Sequence, residues 1–283
     1  MTVFASLLEW LESHLNELDA LVFDIDGVWM IDHRLVGGSL ELLDYLRRKH
    51  ILFSLLTNDA NHSVMEKSQF LQKCGLEITP REIVSCGDGL VPFVATHELD
   101  GQRFFAMGDL GKPCFGEKAG LLMTREIENL PSCRGVIVGE DNYDWQDVIN
   151  SVVNHFIECP EKLLIVPNPD EFYPKGVGKI QIAAGGVARF IQKVLKTYGI
   201  SVEPFFLGKP YAPIFKQTHL QLEERFGITL DRRRILMIGD HLESDILGAN
   251  NFGYRSALLL SGLTNEKHVE TSRVKPELVF KAL

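Results

Sequence analysis

Ala20-Leu21-Val22-Phe23-Asp24-Ile25-Asp26-Gly27 is the stretch on which the reading of the whole chain turns. Four consecutive apolar residues between polar ones suit a short strand buried on both faces, as in a parallel sheet. The run stops at Asp24. A second aspartate, Asp26, follows two residues on and lies on the same side while the chain stays extended. Gly27 permits a sharp turn out of the strand. In open α/β sheets ligands bind beyond the carboxyl ends of the strands, so a carboxylate here is placed for chemistry.

The same pattern recurs outward from this stretch. Residues 51–56 run into Thr57-Asn58, 205–207 into Gly208-Lys209, 235–238 into Gly239-Asp240, and 256–260 into Ser261-Gly262. Helical patterns over 40–49, 63–74 and 211–226 alternate with them. The alternation predicts an α/β fold, a doubly wound parallel-sheet core. A second set of apolar runs, 103–107, 135–138 and 163–166, alternates with helical patterns over 112–119 and 145–157. The polar strand-end residues skip this middle stretch. It therefore reads as an inserted α/β domain over 86–188, within a core formed by 1–85 and 189–283. A chain of 283 residues is long enough for two domains.

Bulk properties narrow the class. The net charge of −9, with no run of Lys and Arg that would make a basic patch, argues against a nucleic-acid partner. Cys74, Cys86, Cys114, Cys133 and Cys159 form no Cys-x-x-Cys pair, which suits free thiols and a cytoplasmic setting rather than a disulfide framework. At the N-terminus, Leu7, Leu8, Leu11, Leu15 and Leu18 recur at helical spacing. Glu9, Glu12 and Glu17 interrupt them, so residues 3–17 read as an amphipathic helix and not a signal peptide. No segment is long and apolar enough to span a membrane.

The strand-end residues form a set suited to phosphoryl transfer. Asp24 can attack phosphorus and form an acyl phosphate. Asp26 can protonate the leaving oxygen and later deprotonate water. Asp240, with the other carboxylates and without a His–Cys cluster, favours a hard cation with oxygen ligands, and Mg²⁺ takes one or two carboxylates plus waters and phosphate. Asp245 can hold the metal's water shell or orient Lys209. Thr57 and Asn58 can bind phosphate at a strand-to-helix turn, and Lys209 can stabilise charge on Asp24 and on the transferring group. Each signal alone has a plain structural reading as a turn, a cap or a surface charge. Their weight comes from four of them occurring in one order, each directly after a buried-strand pattern.

Together, Asp24-Ile25-Asp26-Gly27, Thr57-Asn58, Gly208-Lys209-Pro210 and Gly239-Asp240 resemble the four motifs of the haloacid dehalogenase superfamily. The long insertion between Thr57 and Lys209 resembles the branch with a large α/β cap, the NagD-like phosphatases, as do Val138-Gly139-Glu140-Asp141 and Asn168-Pro169-Asp170. The resemblance implies an Mg²⁺-dependent phosphatase acting on a small phosphorylated metabolite through an aspartyl-phosphate on Asp24. A sugar phosphate or nucleoside monophosphate is the expected substrate, with phosphoglycolate or pyridoxal phosphate as alternatives. It also implies Asp24, Asp26 (through its backbone carbonyl) and Asp240 as metal ligands, Thr57 and Asn58 as phosphate binders, Lys209 as the charge stabiliser, and Asp245 behind them. Relatives of this branch often dimerise through the cap, so a homodimer is among the expected partners. Substrate choice is expected from the inserted domain, with Asn168, Asp170, Tyr173 and Lys175 as the candidate loop. Asp59 departs from the branch, which has a small or amide residue there; an extra carboxylate would disfavour a strongly anionic leaving group.

Other classes fit less well. A dinucleotide-binding domain needs Gly-x-Gly-x-x-Gly after the first strand, where Asp-Ile-Asp-Gly stands. Gly176-Val177-Gly178-Lys179 lacks the spacing and the following Ser or Thr of a phosphate-binding loop. An acid two residues after the nucleophile favours phosphate esters over the superfamily's dehalogenases and ATPases, while mutases usually carry smaller caps. A non-catalytic metabolite-binding relative would be marked by loss of Asp24, Asp26 or Asp240, and all three are present.

Overall fold

The computed structural model describes residues 2–31, 34–140, 144–175 and 178–283. Asp141 of the Val138–Asp141 motif, and Gly176-Val177 of the glycine-rich string, lie outside the described residues. Among the described residues no helix is long and apolar enough to cross a membrane.

The chain divides into two compact units. The first comprises 1–57, 67–84 and 209–283, and the second 58–66 and 85–208. The first is built on a seven-stranded sheet in the order Val3–Ser6, Leu278–Ala282, Arg255–Leu259, Ile235–Gly239, Ala20–Phe23, Leu52–Thr57, Ile83–Ser85. The pairings from Val3–Ser6 across to Leu52–Thr57 are all parallel. Ala20–Phe23 lies centrally with all four side chains buried. Burying each large apolar side chain contributes about 1.5–3 kcal/mol, which accounts for the uninterrupted apolar runs that mark these strands in the sequence.

The second unit has its own parallel sheet of five strands, in the order Phe205–Phe206, Leu163–Val166, Gly135–Val138, Arg103–Met107, Leu122–Thr124. The helix Ala184–Tyr198 covers one face. Its buried residues Ala184, Val187, Ala188, Ile191 and Leu195 pack with Phe105, Val136 and Val166. Phe172–Pro174 and Ile180–Ile182 form a separate antiparallel pair.

Three local differences from the sequence reading have physical causes. The stretch 3–17 is not one helix. Val3–Ser6 is a strand on the sheet edge, paired with Leu278–Ala282, and the helix runs only over Leu7–His14. Ser6 makes the break, because its hydroxyl caps the helix by accepting from Glu9 N–H and donates to the Leu283 carbonyl. The run 205–207 is not a strand of the first sheet. Phe205–Phe206 pairs with Leu163–Val166, and Leu207 is buried with Leu90, Phe93 and Phe104. An apolar run identifies a buried strand but not its sheet. For the same reason the expected boundary at 188 falls inside the Ala184–Tyr198 helix, and the second unit continues to Gly208.

Candidate active site

Asp24 immediately follows the Ala20–Phe23 strand, and its backbone N–H donates to the Ile238 carbonyl of the neighbouring strand at 2.8 Å. Asp240 immediately follows that neighbour, Ile235–Gly239. Adjacent parallel strands therefore deliver both carboxylates to the same edge. Asp245 comes from the first turn of helix after Asp240 and is fully buried. One carboxylate oxygen from each of Asp24, Asp240 and Asp245 lies within 4.8 Å of the others.

Lys209 is the counter-charge. Its Nζ sits 2.7 Å from Asp24 Oδ1 and 2.7 Å from Asp245 Oδ1, and donates to the Leu56 carbonyl at 3.3 Å. The side chain is 2% exposed. Burial pulls the ammonium's proton affinity down, but the two carboxylates beside it overcome that pull and hold the pKa above the ordinary lysine range. Asp24 is pushed well up by burial, with Lys209 acting against the shift and Asp245 and Asp240 adding to it. Burial, then Asp245, carries Asp240 up to about 7, opposed by the Leu263 N–H and Lys209. One ammonium thus faces three buried carboxylates. The imbalance and the all-oxygen donor set suit a hard divalent cation.

Three glycines make room for this cluster. Gly27 has φ +90°, and a Cβ on it would lie 2.3 Å from Asp240 Oδ2. A Cβ on Gly262 would lie 1.9 Å from the same oxygen, and one on Gly239 would lie 2.3 Å from Asp245 Oδ2. Any side chain at these positions would displace a carboxylate. Leu263 N–H and His241 N–H then fix the orientations, donating to Asp240 Oδ2 at 2.7 Å and Asp245 Oδ2 at 3.1 Å.

The other expected residues are distributed more widely. Thr57 is buried at the end of Leu52–Thr57, next to the Ala20–Phe23 strand. The carboxylate of Asp26 is not part of the three-carboxylate cluster. After the bend at Ile25 it is exposed and meets Lys67 Nζ at 3.1 Å. Asn58 belongs to the second unit, where its amide donates to Asp170 Oδ1 at 3.0 Å. Asn168 is buried there with Glu140, donating to Glu140 Oε1 at 2.6 Å and accepting from Asp170 N–H at 2.9 Å. Tyr173 lies in the antiparallel pair, and Lys175 directly follows its first strand, with its ammonium on Gln181 Oε1. Asp59 serves its own turn, accepting from Asn61 and His62 N–H and pairing with the His62 ring. Lys67 escaped the sequence reading. Its signal is a lysine within the apolar stripe Val64–Leu71 of a helix.

Comparison with known proteins follows this geometry. A haloacid dehalogenase-like hydrolase family model matches residues 21–121, and a HAD-hydrolase-like model matches 206–283. The two matched segments hold Asp24, Asp26, Thr57, Lys209, Asp240 and Asp245. The chain belongs to the haloacid dehalogenase-like hydrolases. Within that superfamily it is a phosphatase. A dihydroxyacetone phosphatase of Corynebacterium glutamicum is 24% identical, over 92% of this chain and 87% of its own. The chloroplastic phosphoglycolate phosphatase 1A of Arabidopsis thaliana is 26% identical, over 95% of this chain and 76% of its own. Among solved structures, a possible sugar phosphatase of Cytophaga hutchinsonii superposes with a TM-score of 0.83 at 26% identity, covering 100% of this chain and 98% of the other.

Proposed function

We propose that this haloacid dehalogenase-type phosphatase hydrolyses a small phosphorylated metabolite, a sugar phosphate or nucleoside monophosphate, with Mg²⁺ and through an aspartyl-phosphate on Asp24. The observation that carries the reading is Lys209 Nζ held 2.7 Å from both Asp24 and Asp245, with Asp240 alongside. A buried carboxylate kept in place by an ammonium is an oriented nucleophile, and the same ammonium lies where charge develops on the transferring group.

Asp24 attacks phosphorus. Asp26 gives the leaving oxygen a proton and takes one from the water that later hydrolyses the acyl phosphate. Thr57 and Asn58 bind phosphate oxygens in this reading, and Asp245 orients Lys209. Asp24, Asp240 and the Asp26 carbonyl would hold Mg²⁺. When bound, the ion offsets the repulsion between a phosphate dianion and the carboxylates. Substrate choice is assigned to the second unit, to Asn168, Asp170, Tyr173 and Lys175. A phosphoglycolate substrate is the second reading, favoured by the Arabidopsis relative.

Asp24→Asn keeps the shape and removes the attacking charge. Turnover of p-nitrophenyl phosphate should fall by orders of magnitude in a folded protein, EDTA should abolish wild-type activity, and Mg²⁺ should restore it. Near-wild-type turnover by Asp24→Asn, or full activity without metal, would overturn the reading.

A further inference from the structure

Lys67 lies in the helix Val64–Lys73, on its buried face with Ser68 and Leu71. Its side chain is 10% exposed and its ammonium is 3.1 Å from Asp26 Oδ2, whereas the Asp26 side chain is 66% exposed. A lysine on the inner face of a helix is unfavourable unless its charge is met, since burial removes the ammonium from water. An exposed lysine would serve a surface salt bridge equally well, and such bridges contribute little. The arrangement is one-sided: a rigidly packed cation reaches out to a carboxylate that is otherwise open to solvent.

The geometry points to Lys67 as a positioning residue for Asp26, holding its carboxyl group in the orientation that delivers a proton to the leaving oxygen. This rests on the proposed role of Asp26 as the acid. In that step an Asp24 oxygen bonds to phosphorus while the bond from phosphorus to the leaving oxygen breaks. The leaving oxygen keeps the bonding electron pair and takes the proton from the Asp26 carboxyl. Among the described residues the Asp26 carboxylate meets Lys67 Nζ, just before the chain turns at Gly27 with φ +90°. Lys67 constrains it from a packed helix.

The role predicts a dependence on the leaving group. A poor leaving group needs a well-placed proton donor, and a good one departs without it. Values of kcat/KM, which report the chemistry up to the first irreversible step, should be measured for phenyl phosphate and p-nitrophenyl phosphate. The enzymes are wild type, Lys67→Met, Lys67→Arg, Asp26→Asn and the Lys67→Met/Asp26→Asn double variant. Lys67→Met should lose at least tenfold more on phenyl phosphate than on p-nitrophenyl phosphate. Lys67→Arg should recover most of the difference. In the Asp26→Asn background Lys67→Met should have no further effect, because a residue that acts through Asp26 has nothing left to position. Equal loss on both esters, additive loss in the double variant, or wild-type rates for Lys67→Met would each overturn the proposal while leaving the role of Asp26 intact. If Asp26→Asn itself lowered both esters equally, the acid role of Asp26 would fail, and the role of Lys67 with it.

Discussion

At the carboxyl end of the seven-stranded sheet, three buried carboxylates share one ammonium. At the carboxyl end of the five-stranded sheet, both oxygens of buried Glu140 accept N–H groups, from Asn168 Nδ2 and from Ala184 N. The Asn168–Asp170 strap continues that network, with Asp170 taking the Asn58 amide and Arg189 donating to the Pro169 carbonyl. Gly185 allows the close approach, since a Cβ on it would lie 2.0 Å from the Pro169 oxygen. Both regions begin from the same motif, an apolar strand ending in acids and amides. The first gathers like charges that repel, and burial pushes the carboxyls of Asp24 and Asp240 up; the second pairs its polar groups until the backbone is fixed. Electrostatic imbalance marks a place suited to a cation and an anionic substrate, and satisfaction marks a fixed frame, with Glu140 holding the strap that carries Asn168 and Asp170.

The contrast breaks first at Lys209. Lys209→Ala should depress the turnover of every phosphate ester together, by about 2–4 kcal/mol in transition-state stabilisation, as for loss of one charge-stabilising contact. Initial rates across a panel of phosphorylated metabolites check this. A loss confined to one substrate would place Lys209 in recognition instead of chemistry.

Glu140→Ala tests the other region. It leaves the buried Asn168 amide and the Ala184 N–H without their acceptor, so stability should fall by about 1–3 kcal/mol. Turnover of acetyl phosphate by the folded protein should stay within a few-fold of wild type. Urea unfolding and a rate measurement together distinguish scaffold from site. A rate loss as large as that of Lys209→Ala, at unchanged stability, would erase the distinction.

A gentler probe is the pH dependence of stability without metal. Burial raises the carboxyls of Asp24 and Asp240, Asp240 to about 7. A carboxyl that keeps its proton in the folded chain after the unfolded chain has released it makes stability fall as pH rises. The window opens near the ordinary aspartate value of about 4 and closes near 7. The slope within it is at most about 1.4 kcal/mol per pH unit for each group. Wild type should therefore lose stability relative to Asp240→Asn as pH climbs through this window, and Mg²⁺ should remove the difference. Denaturation curves from pH 4.5 to 8 measure it. A difference that grew as pH fell would reverse the sign and contradict the burial argument.

Asp24, Thr57 and Asp240 were legible as strand-end residues because each follows an apolar run that forms a buried strand, whereas Lys209 follows a short, part-exposed edge strand. What such a run cannot say is which sheet receives it, and the strand before Lys209 joins the second unit. Val3–Ser6 was hidden because its apolar Val3 and Phe4 lead straight into the leucine pattern of the helix that starts at Leu7, so the two read as one run. Lys67 was hidden for a related reason: a lysine in a helical pattern reads as a solvated charge until packing shows which face it occupies. Asp26 was expected beside Asp24 from strand alternation, but the strand ends at Phe23 and the chain bends at Ile25, between the two aspartates. The close fit of Gly262 to Asp240 depends on the loop after Arg255–Leu259 returning over the neighbouring strand end, and that of Gly239 to Asp245 on the turn between a strand and its following helix, neither of which apolar periodicity reveals.

The central claim is that Asp24 becomes covalently phosphorylated, and trapping that species tests it most directly. Enzyme turning over p-nitrophenyl phosphate with Mg²⁺ is quenched, reduced with borohydride, digested and sequenced by mass spectrometry. Reduction of an aspartyl-phosphate converts the residue to homoserine. The account predicts homoserine at position 24 in wild type, and none in Asp24→Asn or in enzyme without substrate. Homoserine at another aspartate, accompanied by an active Asp24→Asn variant, would contradict it.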